Sequence, residues 1–302
     1  MRIKYLLKRL VFNFKNENFI TVIKKIIKTI FSSNKIDLDQ LKLDENISLD
    51  DLFIKFGSDK GSLDGKKTYS FLKHKDKNKF SNYFEWINRD KLKKFDYQLG
   101  QNSSPIYEKY FSEIRLKNLR ILEIGTANGH SVASFFYYFP NSKIFTIDIK
   151  KSFHFFYKSE RIYFETVDCM NDQSVKNFIS KFGGFDIIID DSDHTHPTFL
   201  KNIKNFYPSL NSGGLYFLED FKYADQDLLM IRNYNEKFGK KVMMQFTMTM
   251  DEIFTNIKNK NFFENDILDK ENQEYIFDNT ESVNVHYGEH PLSSLGILKK
   301  KV

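Results

Sequence analysis

The sequence predicts an open, doubly wound α/β domain with a mostly parallel sheet over residues 119–302, and three observations predict it. Short, apolar, β-rich runs at 119–124, 143–148, 162–167, 185–190 and 214–219 alternate with helical patterns at 130–138, 172–181 and 197–210, the rhythm of βαβ units. The runs are apolar almost throughout, as strands buried on both faces must be. Successive runs also end in acids, so the polar chemistry gathers at the carboxyl edge of the sheet.

Each element has its own reason. The segment after Asp148 is a weaker helical candidate. Residues 222–280 read as mostly helical and polar. Runs at 282–286 and 295–299 then form two last strands, close enough to pair antiparallel at the sheet edge. Upstream, residues 48–118 read as a helical lid region. Ser48 with Asp51 opens a helix at 49–56 in capping-box style, and Gly57 closes it. Ser104 followed by Pro105 is a cap and first-turn pair, so 105–115 is expected to be helical. Between them runs a Lys-, Phe- and Tyr-rich stretch holding the single tryptophan, Trp86. Residues 1–47 are a basic amphipathic segment and linker.

Composition narrows the class. The 302 residues are 41% hydrophobic and 28% charged, with only 13 Gly and 5 Pro, which excludes collagen-like and broadly disordered chains. A single cysteine, Cys169, excludes a disulfide framework and a Cys-pair zinc cage and suits a reducing, cytoplasmic setting. The net charge of +6 is local: residues 1–31 hold eight basic residues against Glu17 alone, so the remainder is slightly acidic. Nucleic acid is therefore not an expected partner. Lysines interrupt every apolar run in this segment before signal-peptide or membrane-span length. Its apolar spacing suits a helix lying on the anionic inner face of a membrane, or one packed on the body or on a second subunit of a homo-oligomer; packing is the favoured reading.

The strand ends carry the chemistry. The first leads through Glu123, Gly125, Thr126, Ala127 and Gly129 directly into a helix, a turn in which a ligand can approach backbone N–H groups. A dinucleotide fingerprint needs glycine where Ala127 stands, and Glu123 would repel a pyrophosphate, so a cationic ligand fits better than a nicotinamide dinucleotide. Asp148 ends the second strand, where a carboxylate can accept both hydroxyls of a ribose. Asp168, Cys169 and Met170 follow the third and offer an acceptor and apolar walls to an adenine. Thr126, Gly129 and Ser131 in the first turn, and Asp190 at the end of the fourth strand, are counted with the same site.

The fourth and fifth strands release Asp190, Asp191, Asp193 and His194, then Glu219 and Asp220. Neighbouring strands lie about 4.8 Å apart, so Asp191, Glu219 and Asp220 can converge. Unpaired carboxylates so placed repel, and a hard divalent cation such as Mg²⁺ resolves the repulsion. His194 beside it is best used as a general base, with ligand and structural roles left open. His196, just before Pro197, reads as structural. Gly288 and Pro291 argue against a zinc pair at His286 and His290.

These motifs together resemble class I S-adenosylmethionine-dependent methyltransferases, and more narrowly the macrocin and mycinamicin type of sugar O-methyltransferase. The resemblance covers about residues 53–220. It includes the Phe56-Gly57-Ser58-Asp59-Lys60-Gly61-Ser62 run and the Tyr107-Glu108-Lys109-Tyr110-Phe111 run. It implies a seven-stranded sheet, with Glu123, Gly125 and Asp148 holding S-adenosyl-L-methionine. It also implies Mg²⁺ on Asp191, Glu219 and Asp220, His194 as catalytic base, and Asp59 and Lys60 as contacts near the site. The expected acceptor is a sugar hydroxyl on a nucleotide-linked sugar, a surface polysaccharide or a glycosylated natural product. The alternatives are another small diol or catechol, or a non-catalytic membrane-associated subunit. In similar proteins a short link, often with a histidine, joins the Asp-Lys-Gly segment to the Tyr-Glu helix. Here the link runs from Gly61 to Gln101, and Gln101 stands about where that histidine falls.

Overall fold

The computed structural model describes residues 35–44, 46–62, 100–149, 155–239, 246–288 and 293–302. The expected membrane-surface or packing helix at 1–31, and His290, lie outside them. In chain order the described elements begin with β1 (Ile36–Asp37), α1 (Leu49–Phe56) and α2 (Ser104–Phe111). The first sheet units follow: β2 (Arg120–Ile124), α3 (His130–Tyr138), β3 (Lys143–Asp148), β4 (Tyr157–Lys158) and β5 (Ile162–Thr166). Next come α4 (Asp172–Phe182), β6 (Phe185–Asp190), α5 (His196–Phe206) and β7 (Leu210–Glu219). The chain ends with α6 (Lys222–Phe238), α7 (Met250–Asn259), α8 (Lys270–Asn279), β8 (Thr280–Tyr287) and β9 (Ser294–Lys300).

The sheet has seven strands in the order β5-β3-β2-β6-β7-β9-β8. The first five are parallel, and β9 runs antiparallel to both β7 and β8. This is the mostly parallel, Rossmann-like sheet that the apolar runs imply. The order reverses between β3 and β6 around β2, which places the β2 and β6 ends at the crevice where such sheets bind ligands.

Local signals set most boundaries. Ser48 Oγ accepts the Asp51 N–H at 3.0 Å and donates to the Asp51 carboxylate at 2.7 Å, and Gly57 (φ +81°) ends α1. At α2 the expected Ser104 cap is absent, because Ser104 Oγ is spent on Asp50 at 2.5 Å; Ser103 takes the cap position without a side-chain bond. The helix expected after Asp148 is also absent among the described residues. Tyr157–Lys158 pairs instead with Ile36–Asp37 as a separate two-residue ladder. No described helix is long and apolar enough to cross a membrane.

Both sheet faces are covered, and phenylalanine does much of the covering. One face packs Val175, Phe178, Phe199, Ile203, Phe254 and Ile276 from α4, α5, α7 and α8. The other packs Leu52 and Phe53 of α1, Tyr107 and Phe111 of α2, and Phe135 of α3 against Ile121, Ile189 and Phe217. Phe111 meets Phe139 and Phe217 edge-on at centroid distances of 5.1 Å each. Each such buried ring contributes roughly 2–3 kcal/mol from area alone. The described helices of the 48–118 region thus belong to the layer that covers the sheet, which brings residues 58–62 and 100–107 to its carboxyl edge.

Candidate active site

The turn between β2 and α3 is built from backbone constraints. Gly125 sits at φ +89°, and a Cβ there would lie 2.0 Å from the Asp191 carbonyl oxygen. Close approach of two chain segments therefore requires glycine here. Ala127 also lies in the left-handed region (φ +43°), and its N–H donates to Asp148 Oδ2 at 3.0 Å. Glu123 is buried beneath the turn and accepts Thr126 Oγ1 at 2.8 Å and Ser131 Oγ. The resemblance implies a hold on the donor for Glu123; in the structure its carboxylate fixes the turn, while Thr126 and Ser131 line the cavity.

That cavity measures about 510 Å³. Gly125, Thr126, Ala127, Asp148, Asp168 and Cys169 line one part of it, and Lys60, Asp191 and His194 line another. One Asp168 oxygen accepts the Met170 N–H at 2.9 Å. Burial raises the Cys169 thiol far above its ordinary range, so it is a neutral wall. Asp190 does not belong with them. It is fully buried and accepts Tyr216 OH at 2.8 Å and Asn202 Nδ2 at 3.1 Å. Strand alternation explains why Asp190 does not line the cavity: it shares a face with Ile188, whereas Asp191 comes out on the other.

Asp191 leaves β6 with its N–H on the Ile124 carbonyl at 2.9 Å, Glu219 ends β7, and Asp220 follows in the left-handed region (φ +51°). Each acid meets a group from far upstream. Lys60 Nζ donates to Asp191 Oδ2 at 2.6 Å and to Glu219 Oε2, and Tyr107 OH donates to Glu219 Oε1. Gln101 Nε2 donates to Asp220 Oδ2 at 2.6 Å. The upstream groups are held in register by backbone bonds between 59–62 and 100–103: Gln101 N–H to the Asp59 carbonyl at 2.7 Å, and Ser103 N–H to the Lys60 carbonyl at 2.9 Å.

Burial raises Asp191 and Glu219 to about 7 each, with Lys60 opposing the rise. Asp220 rises further, from burial and from its two acidic neighbours. Burial alone would lower the Lys60 ammonium, but Asp191 and Glu219 hold it well above its ordinary value. His194 (φ +56°) places Nε2 3.6 Å from Asp191 Oδ1, and burial lowers its pKa, which favours a neutral imidazole. His196 is structural as expected, bonding Asp225 at 2.9 Å, and His286 bonds Tyr110 at 3.1 Å.

The three acids expected to hold a metal thus come together, but not as a ready cage. Among the described residues no three His, Cys, Asp or Glu side chains are arranged for an ion, because Lys60 stands between Asp191 and Glu219. The donor chemistry nevertheless fits a hard divalent cation. Two buried carboxylates, Glu219 and Asp220, lie with the partly buried Asp191 around one ammonium, and Gln101 Oε1, on the amide that bonds Asp220, is buried without a partner. Sequence reasoning brought Lys60 near the site without its ion pairs and gave Tyr107 and Gln101 no role. Those pairings span more than a hundred residues, and no local spacing encodes them.

Residues 122–221 match a family described as a methyltransferase domain. The chain is 28% identical over 124 residues to demethylmacrocin O-methyltransferase of Streptomyces fradiae, covering 39% of this chain and 31% of that protein. It is 28% identical over 128 residues to mycinamicin VI 2''-O-methyltransferase of Micromonospora griseorubida, with the same coverages of 39% and 31%. The matched part is therefore about a third of each relative's length. Among solved structures, the MycE methyltransferase from the mycinamycin biosynthetic pathway, in complex with Mg and SAH, aligns with a TM-score of 0.50 at 21% identity, over 75% of this chain and 55% of that one. The chain thus carries the Rossmann-like methyltransferase fold, matches a methyltransferase domain over residues 122–221, and is similar to the macrocin and mycinamicin sugar O-methyltransferases.

Proposed function

We propose that the protein is an S-adenosylmethionine-dependent, Mg²⁺-assisted O-methyltransferase that acts on a sugar hydroxyl. The observation that carries this reading is the continuous cavity that joins the β2 turn, Asp148 and Asp168 to Lys60, Asp191 and His194. A donor bound on the first set places its sulfonium methyl toward the second. Asp148 accepts the ribose hydroxyls, and Cys169 and Met170 flank the adenine. His194 takes the proton of the attacking hydroxyl at Nε2. The new O–CH₃ bond forms as the S–CH₃ bond breaks, the sulfonium becomes a neutral thioether, and a methyl ether and S-adenosylhomocysteine leave. Asp191, Glu219 and Asp220 would hold Mg²⁺, which when bound lowers the pKa of a coordinated hydroxyl and fixes its oxygen.

The names of the similar proteins specify sugar 2- and 3-hydroxyls of natural products, and this supports a glycosylated acceptor. A small diol or catechol would satisfy the same acids and is the second reading. A cytoplasmic setting accords with the lone free Cys169. The test is a panel of nucleotide sugars, glycosides and catechols incubated with labelled donor and Mg²⁺, with products read by mass. Methyl transfer confined to sugar acceptors and lost in chelator is expected. Transfer only to catechols would select the second reading, and full activity in excess chelator would remove the metal.

A further inference from the structure

The acidic cluster already contains a cation, the Lys60 ammonium, and its consequence for ion entry rests on the metal-assisted reading of the site. Lys60 is 2% exposed, and its ammonium contacts Asp191 at 2.6 Å and Glu219 as well. Both oxygens of Glu219 are engaged, Oε1 by Tyr107 and Oε2 by Lys60. A divalent ion drawn to Asp191 and Glu219 would thus meet a positive charge on the same oxygens, in a buried setting where like charges repel strongly. Without any cation there, the buried Glu219 and Asp220 and the partly buried Asp191 would face one another alone, at a large desolvation cost. We infer that Lys60 is a resident counter-cation that competes with the divalent ion for Asp191 and Glu219, so that ion entry requires the ammonium to release at least one of them. The ion-free protein keeps its acids paired and folded, and the ion binds against that pairing.

The test is calorimetric titration of the full chain with MgCl₂, without donor or acceptor, in wild type, Lys60→Gln and Lys60→Arg. Lys60→Gln removes the competing charge and should tighten Mg²⁺ binding by about ten-fold or more, the order of one charge interaction at a buried site. Lys60→Arg keeps the charge in a fork that pairs carboxylates more firmly, and should weaken binding. If Lys60→Gln does not fold, Lys60→Arg carries the test through thermal unfolding: its Mg²⁺-induced rise in Tm should fall well below that of wild type. Equal Mg²⁺ responses in wild type and variants would overturn the competition while leaving the metal reading intact. Absence of binding in folded wild type and variants alike would overturn both. Binding by Lys60→Gln alone would support the competition and show that the resting wild type resists the ion.

Discussion

The two halves of the candidate site are assembled in opposite ways. The donor half is local: Glu123 fixes Thr126 and Ser131 three and eight residues away, and Asp148 fixes the backbone of Ala127 across one strand pair. The acidic half is remote, since Lys60, Gln101 and Tyr107 reach across the sheet edge to Asp191, Asp220 and Glu219. Local bonds form a rigid, preorganised turn at little entropic cost. Remote bonds depend on the whole covering layer of α1 and α2, and Lys60 only partly opposes the rise in pKa that burial gives the acids. The comparison teaches where each kind of damage should appear. Changes in the donor half should alter binding without affecting folding, and changes in the acidic half should alter turnover or stability without affecting donor affinity.

The largest expected effect comes from Asp191→Asn. It removes one carboxylate charge from the acidic half and should lower turnover by roughly 10³-fold or more, the scale of losing a metal's Lewis-acid assistance. S-adenosylmethionine affinity, read by calorimetry, should stay within about two-fold, because the residues proposed to contact its ribose and adenine follow other strands. His194→Ala should cost roughly 10²–10⁴ in rate, the usual worth of a general base, with donor affinity again retained. A parallel loss of donor affinity in either variant would break the division between the halves.

Next in size is the donor half itself. Asp148→Ala should weaken S-adenosylmethionine binding by roughly 1.5–3 kcal/mol, the scale of hydrogen bonds to a charged group, and leave the unfolding midpoint almost unchanged. Unchanged donor affinity would remove Asp148 from the ribose site. A large drop in stability would show instead that its bond to Ala127 is structural.

The same division explains what the sequence revealed. The sheet was legible because the parallel strands hold apolar runs and several helices carry a cap residue or a glycine stop; even the antiparallel pair at 280–287 and 294–300 follows from spacing alone. The donor half was legible in outline, since strand ends and the glycine turn are local features. Two acids expected at the donor do not line the cavity, a placement that depends on the two-residue alternation and not on position along the strand. Asp190 faces the α4–α5 side, and Glu123 lies under its own turn. The acidic half was legible only on its downstream side. Asp191, Glu219 and Asp220 follow from strand order, but their partners depend on how residues 58–62 fold against 100–103, and that pairing has no periodicity to read. Ser104 shows the same limit: its cap signature is sound, and a long-range bond to Asp50 overrides it.

The smallest effect sharpens the comparison most. Tyr107 is fully buried, stacks on Phe111 at 5.2 Å, meets Phe217 at a tilt at 5.2 Å, and donates its hydroxyl to Glu219. Tyr107→Phe keeps the ring, so the packing term should be nearly unchanged. What it removes is one donor from a buried carboxylate that retains Lys60 as its other partner. The expected cost is roughly 1–2 kcal/mol in urea unfolding, the value of a hydrogen bond to a charged group lost without a cavity. Donor affinity should not move, since Tyr107 lies outside the cavity wall. A stability unchanged within a few tenths of a kcal/mol would mean that the ring alone holds α2 on the sheet. The acidic half would then owe its shape to aromatic packing, with Lys60 and Gln101 remaining as its remote polar tethers.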